Sequence, residues 1–370
     1  MNKLIVNIKI KEDYSYPIYV DIDLINIAHN IIKDHYSGNQ IVIITDKNVA
    51  KLYTKNLINN LIQVGYSVLL LDVAVGEKSK SAQTKEKLEL EMLKCKINRH
   101  ALILAVGGGV IGDLAGFVAS TYMRGIKIIQ IPTTLLSMVD SSVGGKTGIN
   151  TKFGKNLIGS FYQPQAVIMD LNLLDSLPKE QIINGLVETI KIFLTSYEFG
   201  FAYVEANLDA ILALDRIALK YIIEKSISLK ANIVELDERE NNLRMILNFG
   251  HTIGHAIEKV SEYKIMHGYA VALGIIIESK ISLLMGKLNK LNFDRIIKFL
   301  QRLEIDTSLL NNLNLESIAL ATLNDKKNND NEIFCVLLKT IGAVELDNDM
   351  VATKISSDNI LNALHGCVIL

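Results

Sequence analysis

Short, unbroken apolar runs separated by helix-length segments constrain this chain more than any other feature. Ile41-Val42-Ile43-Ile44-Thr45, Val68-Leu69-Leu70-Leu71, Ala101 to Val106, Ile126 to Ile131 and Ala166 to Met169 do not alternate apolar with polar residues. Each therefore predicts a strand covered on both faces. Helical patterns such as Ser81 to Lys96 separate several of them, and strands alternating with helices imply crossover units in a parallel sheet. The pattern changes after Pro178. All four prolines (Pro17, Pro132, Pro164, Pro178) lie at or before that point, and long helical periodicity follows, as over Ile211 to Val234. Ile333 to Leu338 followed by Ile341-Gly342 is the apparent exception and predicts a small hairpin. A chain of 370 residues exceeds one hydrophobic core. The expectation is an α/β domain over residues 1–178 and a mostly α-helical domain over 179–370.

Leu4, Val6, Ile8 and Ile10 alternate with Asn7, Lys9 and Lys11, the period of a half-buried strand and not of a signal peptide. The longest apolar stretch, Ala270 to Gly286, contains Glu278 and Lys280, so no membrane span is predicted. Cys367-Val368-Ile369-Leu370 fits a prenylation tail, but Ser356 to Gly366 holds no lysine or arginine to act as a second anchor, so the match carries little weight. Net charge is -1, from 39 basic and 40 acidic residues, and supplies no field to recruit nucleic acid or an anionic membrane. Any anion site must be local. Cys95, Cys335 and Cys367 lie far apart and show neither the even count nor the short spacings of a disulfide framework or a cysteine metal site, which fits a reducing cytoplasm.

Eleven of the 23 glycines fall between Gly107 and Gly159, a density that serves close backbone approach. Gly107-Gly108-Gly109-Val110-Ile111-Gly112-Asp113 follows an apolar strand and precedes a helix-like run. A turn of that kind offers free N–H groups and a positive dipole end to a pyrophosphate, although a tight strand-to-helix turn would look much the same. Ser141-Ser142-Val143-Gly144-Gly145-Lys146-Thr147-Gly148 resembles a phosphate loop in composition but lacks its spacing, which disfavours ATP. The two clusters together predict a site for a phosphate-bearing ligand.

Three of the seven histidines, His251, His255 and His267, lie within 17 residues of one another in a glycine-marked stretch. His251 and His255 are four apart and share one face of a helix. Single helical histidines are usually structural; three together point to a functional site. Two imidazoles and a carboxylate would leave a zinc ion with open positions for catalysis. Glu188, Glu258 and Glu262 are candidate carboxylates, and spacing does not choose among them.

With these segments in view, the chain resembles the 3-dehydroquinate synthases over nearly its whole length. The matching segments are Gly76-Glu77-x-x-Lys80, Gly107 to Asp113, Tyr122-Met123-Arg124-Gly125, Pro132-Thr133-Thr134, Met138 to Asn150, Gly154 to Gly159, Glu188-x-x-Lys191, Arg244 to Glu258, and His267-Gly268-x-Ala270-Val271-Ala272. The resemblance implies a Rossmann-like parallel sheet joined to a helical domain. It also implies NAD, one zinc or cobalt ion, and a homodimer.

Residue by residue, Glu188, His251 and His267 match the family's metal ligands. Asp46, Asn48, Glu77, Lys80, Gly109 to Asp113, Thr133 and Thr134 match its NAD contacts, with Lys146, Lys155 and Leu173-Leu174-Asp175-Ser176 completing that set. Asp140, Lys146, Lys155, Asn156, Lys191, Lys230, Arg244, Asn248, His255 and one of Lys326-Lys327 match substrate or phosphate contacts, and Arg124 matches an arginine that reaches the neighbouring subunit's site. The implied reaction converts 3-deoxy-D-arabino-heptulosonate 7-phosphate to 3-dehydroquinate and phosphate, in the shikimate route to aromatic amino acids. Tyr269, where the family usually has Glu, Asn328 to Asn331, which lack the usual glycine, and Val20 to Asp23, which lack an early glycine turn, depart from the pattern. A metal- and NAD-dependent polyol dehydrogenase, of glycerol or glycerol-phosphate type, would need fewer cations than Lys146, Lys155, Lys191, Lys230 and Arg244. A cyclase for another heptulose phosphate, or a non-catalytic sensor, are the remaining alternatives.

Overall fold

The computed structural model describes residues 14–323 and 332–367. Among the described residues, eight strands lie in the first half: β1 (Ile18–Asp21), β2 (Gln40–Asp46), β3 (Ser67–Val73), β4 (Leu102–Gly107), β5 (Lys127–Pro132), β6 (Lys146–Thr151), β7 (Gly154–Phe161) and β8 (Ala166–Asp170). Six form one sheet in the order β1-β8-β5-β4-β2-β3, with every neighbouring pair parallel. Two cores explain the unbroken apolar runs of β2, β4 and β5, whereas the Val68 to Leu71 run, expected to be covered on both faces, lies in the edge strand β3 and is only partly buried, with Leu70 37% exposed. Val42, Ile44, Ile103, Ala105 and Ile128 pack on one face, and Ile41, Ile43, Leu102, Leu104, Ile129 and Ile131 on the other.

Strand order decides where a ligand can sit. From β2 the chain moves outward to β3, then returns to the opposite side of β2 as β4. The reversal opens a crevice at the carboxyl ends of β2 and β4, the usual ligand position in such sheets. Asp46 ends β2 and Gly107 ends β4, so the first glycine cluster borders that crevice. The second cluster does not feed a helix: it leads into β6, which pairs antiparallel with β7 as a separate hairpin.

Helices dominate after β8. Lys179–Ser196, His251–Val260 and His267–Leu284 pack with residues 135–143 and 167–174 in one large core. The periodicity over Ile211 to Val234 proves to span two helices, Glu198–Leu212 and Arg216–Leu236. Leu214 takes a left-handed φ of +62° between them, and the Asp215 carboxylate caps the second by accepting from the Ala218 N–H. Both helices face the same core, which is why the apolar pattern runs through the break.

The predicted hairpin is also redrawn. Ile333–Val336 pairs with Ala352–Ile355, while the hairpin itself joins Leu338–Thr340 to Ala343–Val344. The stretch from Ala270 is a helix long and apolar enough to cross a membrane, but it is 72% buried within the protein and carries His267. Cys367 is fully buried, and burial pushes its thiol up to about 11, so the tail match offers no accessible nucleophile. At the departure near residue 20, Asp23 itself takes φ +58° and its carboxylate accepts from Asn172 at 2.9 Å. Aspartate tolerates this region better than most residues. The Leu4 to Ile10 strand, Lys326-Lys327 and Asn328 to Asn331 lie outside the described residues.

Candidate active site and metal centre

Glu188 projects from the helix Lys179–Ser196, and His251 and His267 are the first residues of their helices. Their ligating atoms all lie within 4.8 Å of one another. Glu188 Oε1 is 3.4 Å from His251 Nε2 and 3.2 Å from His267 Nε2, and Lys191 Nζ is 2.5 Å from Oε2. Both oxygens are buried without a well-directed hydrogen-bond donor. A buried carboxylate normally finds such donors, so convergence of these oxygens with two Nε2 atoms fits a cation.

The electrostatics agree. Burial opposes ionisation of Glu188, yet Lys191 and His251 hold its carboxyl well below the usual range. Burial, with Lys191, pushes His251 down to about 4. Burial works in the same direction on His267, but contacts to Glu188 and Glu258 outweigh it and lift the ring to about 10. The centre thus draws a proton onto one imidazole, the positive charge that a divalent ion would supply instead.

Neither histidine helix has a side-chain cap of its own. Their first N–H groups are satisfied from other helices. Asn184, one turn before Glu188, accepts from Gly268 N at 2.6 Å. A Cβ on Gly268 would come within 2.3 Å of Asn184 O, so the His-Gly pair is dictated by close helix approach. Glu278, 0% exposed, accepts from Gly250 N at 2.7 Å and Ile253 N at 3.3 Å. Two imidazoles from separate helices are aimed by groups that sequence spacing does not reveal.

Around the centre, lysines pair with carboxylates. Lys230 Nζ is 2.7 Å from Asp140 Oδ1 and also donates to its carbonyl at 2.5 Å. Lys155 Nζ is 2.7 Å from Glu258 Oε1. Lys146 pairs with Glu240, which also accepts from Asn248 at 2.5 Å. Arg244 is buried, with its guanidinium on the carbonyls of Glu238 and Gly144. His255 stands one turn beyond His251, its ring 5.2 Å from that of His251 and 6.0 Å from that of His267.

The crevice end is built differently. The helix Gly109–Thr121 begins without a side-chain cap, an arrangement suited to anions. Lys80, 4% exposed, bridges Asp113 and Asn156 and so ties this helix to β7. Asp46 accepts from Asn48 N and Val49 N at 2.8 and 3.1 Å, Glu77 accepts from Asn150 at 2.6 Å, and Thr133 N bonds Gly107 O. Thr134 exchanges hydrogen bonds with Ser137. Leu173 and Leu174 point into two different cores, Asp175 pairs with Arg216 at 2.6 Å, and Ser176 accepts from Tyr53 at 2.6 Å. Those four side chains are committed within the protein, so a cofactor would meet this turn chiefly through its backbone.

Family models for the 3-dehydroquinate synthase N-terminal and C-terminal regions match residues 70–184 and 185–328. The chain belongs to the 3-dehydroquinate synthase family. A 3-dehydroquinate synthase of Thermoanaerobacter pseudethanolicus is 42% identical over 361 residues, covering 97% of this chain and 99% of that one. Among solved structures, a 2-deoxy-scyllo-inosose synthase complexed with carbaglucose-6-phosphate, NAD+ and Co2+ superposes with a TM-score of 0.85 at 26% identity, covering 94% of this chain and 96% of the other. A 2-epi-5-epi-valiolone synthase from Streptomyces hygroscopicus subsp. jinggangensis 5008 shares the fold, with a TM-score of 0.88 at 24% identity over 98% and 99% of the two chains.

Within this member of the 3-dehydroquinate synthase family, most of the anticipated residues converge, and two acids join them that sequence reasoning did not place. Glu240 connects Lys146 to Asn248, and Glu258 connects Lys155 to His267. Glu258 was visible only as one of three candidate ligands. Glu262 is 78% exposed beside Lys264 and takes no part. Arg124 is exposed at φ +70°, and its guanidinium makes no ion pair among the described residues.

Proposed function

We propose that this chain is a 3-dehydroquinate synthase that converts 3-deoxy-D-arabino-heptulosonate 7-phosphate to 3-dehydroquinate and phosphate, with NAD and one divalent ion, zinc or cobalt. The observation that carries the reading is the convergence of Glu188, His251 and His267 beside a set of lysine–carboxylate pairs. Those three residues would hold the ion, and Asp46, Asn48, Glu77, Lys80, Gly109 to Asp113, Thr133 and Thr134 would line the dinucleotide. Held there, the ion would supply Lewis acidity toward a substrate hydroxyl and the nicotinamide would supply a reversible hydride acceptor.

The chain's own residues have separate tasks. Lys191 and Lys230 are 3% and 6% exposed and already fixed on Glu188 and Asp140, so they orient substrate hydroxyls without a large reorganisation. The Lys146 and Lys155 side chains are 50% and 30% exposed, so a phosphate or carboxylate can exchange for Glu240 or Glu258 on their ammonium groups. Arg244, Asn248 and Asn156 are placed to complete the anion cradle. His255 is placed beside both imidazole ligands to take or give a proton on substrate. A glycerol dehydrogenase has no anionic substrate for these cations to meet, and a glycerol-phosphate dehydrogenase has one anionic group where the sugar acid phosphate has two.

Residues 1–178 form the NAD-binding unit and 179–370 the metal- and substrate-binding unit in this reading, supported by the position of the sheet and by family matches that meet at residues 184 and 185. A homodimer in which Arg124 enters the partner's site is supported by the exposure of Arg124 and by apolar side chains exposed on and beside β7, with Phe153 at 81% and Ile158 at 51%. Three cysteines that form no disulfide fit a cytoplasmic location. The deciding assay mixes protein, NAD, zinc and the heptulosonate phosphate and follows phosphate and NADH together. Stoichiometric phosphate without net NADH is expected; NADH accumulation from glycerol, with no phosphate from the sugar acid, would refute the assignment. For the dimer, mixing inactive Arg124→Ala and Lys191→Met chains should restore part of the activity.

A further inference from the structure

We infer that Glu258 is a positioning residue for the metal centre: it fixes the His267 ring through Nδ1 and joins that ligand to Lys155 on the β6–β7 hairpin. The inference rests on the reading of Glu188, His251 and His267 as the ligands. Both imidazoles turn Nε2 toward Glu188, and each has its other nitrogen anchored. His251 Nδ1 lies 3.2 Å from the Phe249 carbonyl, and His267 Nδ1 lies 3.2 Å from Glu258 Oε2. Donation from Nδ1 leaves the Nε2 lone pair for the ion, and a carboxylate acceptor makes the ring a stronger donor than a carbonyl does.

Glu258 is 2% exposed, and its other oxygen is 2.7 Å from Lys155 Nζ, which also sits 4.4 Å over the Tyr263 ring. His255, Glu258 and His267 also lie close enough to suggest a second ion site. That arrangement would require His267 to ligate through both nitrogens, on the side where the Lys155 ammonium already pairs with Glu258. The geometry points to an orienting carboxylate, one turn past His255 on the helix that begins with His251.

The test is zinc affinity, measured by competition with a chromophoric chelator. Glu258→Gln keeps the shape and removes the charge, and should weaken zinc binding by about 10- to 100-fold while the zinc-free Tm changes little. Lys155→Met, which spares the His267 contact, should shift zinc affinity by less than about threefold. In wild-type zinc-loaded protein, histidine-selective 15N NMR should find His267 protonated at Nδ1 and bare at Nε2. This last measurement tests donation from His267 Nδ1 even if Glu258→Gln does not fold. Unchanged affinity in Glu258→Gln, or the opposite His267 tautomer, overturns the inference. A wild-type chain that binds no zinc overturns the underlying metal reading, and with it this one.

Discussion

Glu278 offers the sharpest link between the core and the site. It lies in the middle of an apolar helix, fully buried, and its two oxygens accept from Gly250 N and Ile253 N at the start of the helix that presents His251 and His255. Replacing it with methionine removes both acceptors and leaves two buried N–H groups without them, at about 1–3 kcal/mol each. Relief of the buried carboxyl's desolvation offsets part of that, so a net loss of about 3 kcal/mol is expected. At about 2 cal per mol per K per residue, a 370-residue chain then loses roughly 4 °C of Tm.

Glutamine keeps one acceptor and should lose about half as much, roughly 1–2 kcal/mol. Calorimetry gives Tm, and hydrogen exchange at the Gly250 and Ile253 amides localises the effect. Both amides should exchange faster in Glu278→Met, and zinc affinity should fall as His251 loses its fixed helix start. A methionine variant with a higher Tm would refute the reasoning, since it would mean that the acid is a buried burden that the helix start does not use.

Other perturbations test neighbouring links. His251→Asn should remove zinc binding and lower turnover by at least about 10³-fold, read by metal analysis and phosphate release, with the fold intact by circular dichroism. Gly274→Ala would place a Cβ 1.9 Å from Gly250 O, and overpacking of about 1–3 kcal/mol should lower Tm and loosen zinc together. Asp237 accepts backbone N–H groups from Asn241, Asn242 and Arg244 and is held at about 2. Because its folded value is depressed, its stabilisation is fully present above about pH 4 and fades as pH falls through about 2. The Tm gap between wild type and Asp237→Asn should therefore narrow between pH 5 and pH 2.5, and a gap that stays constant would count against the carboxylate's role.

Local sequence patterns were enough to anticipate five of the six strands of the parallel sheet, though not the short β1, together with the glycine turn that opens the Gly109–Thr121 helix and the histidine cluster, because strand period, turn chemistry and helical spacing are encoded within a few neighbouring residues. The break at Leu214 was hidden because both flanking helices feed the same core, and the pairing of Ile333–Val336 with Ala352–Ile355 was hidden because strand partners are chosen at long range. Spacing also could not choose among Glu188, Glu258 and Glu262. Only packing puts Glu188 between two imidazoles, sets Glu258 behind one of them and leaves Glu262 in solvent. Sequence alone determined which chemical groups this chain possesses and which elements carry them. Tertiary structure decided which acid meets which base, because carboxylates on different helices differ only in what burial and close helix approach bring within about 3 Å of them.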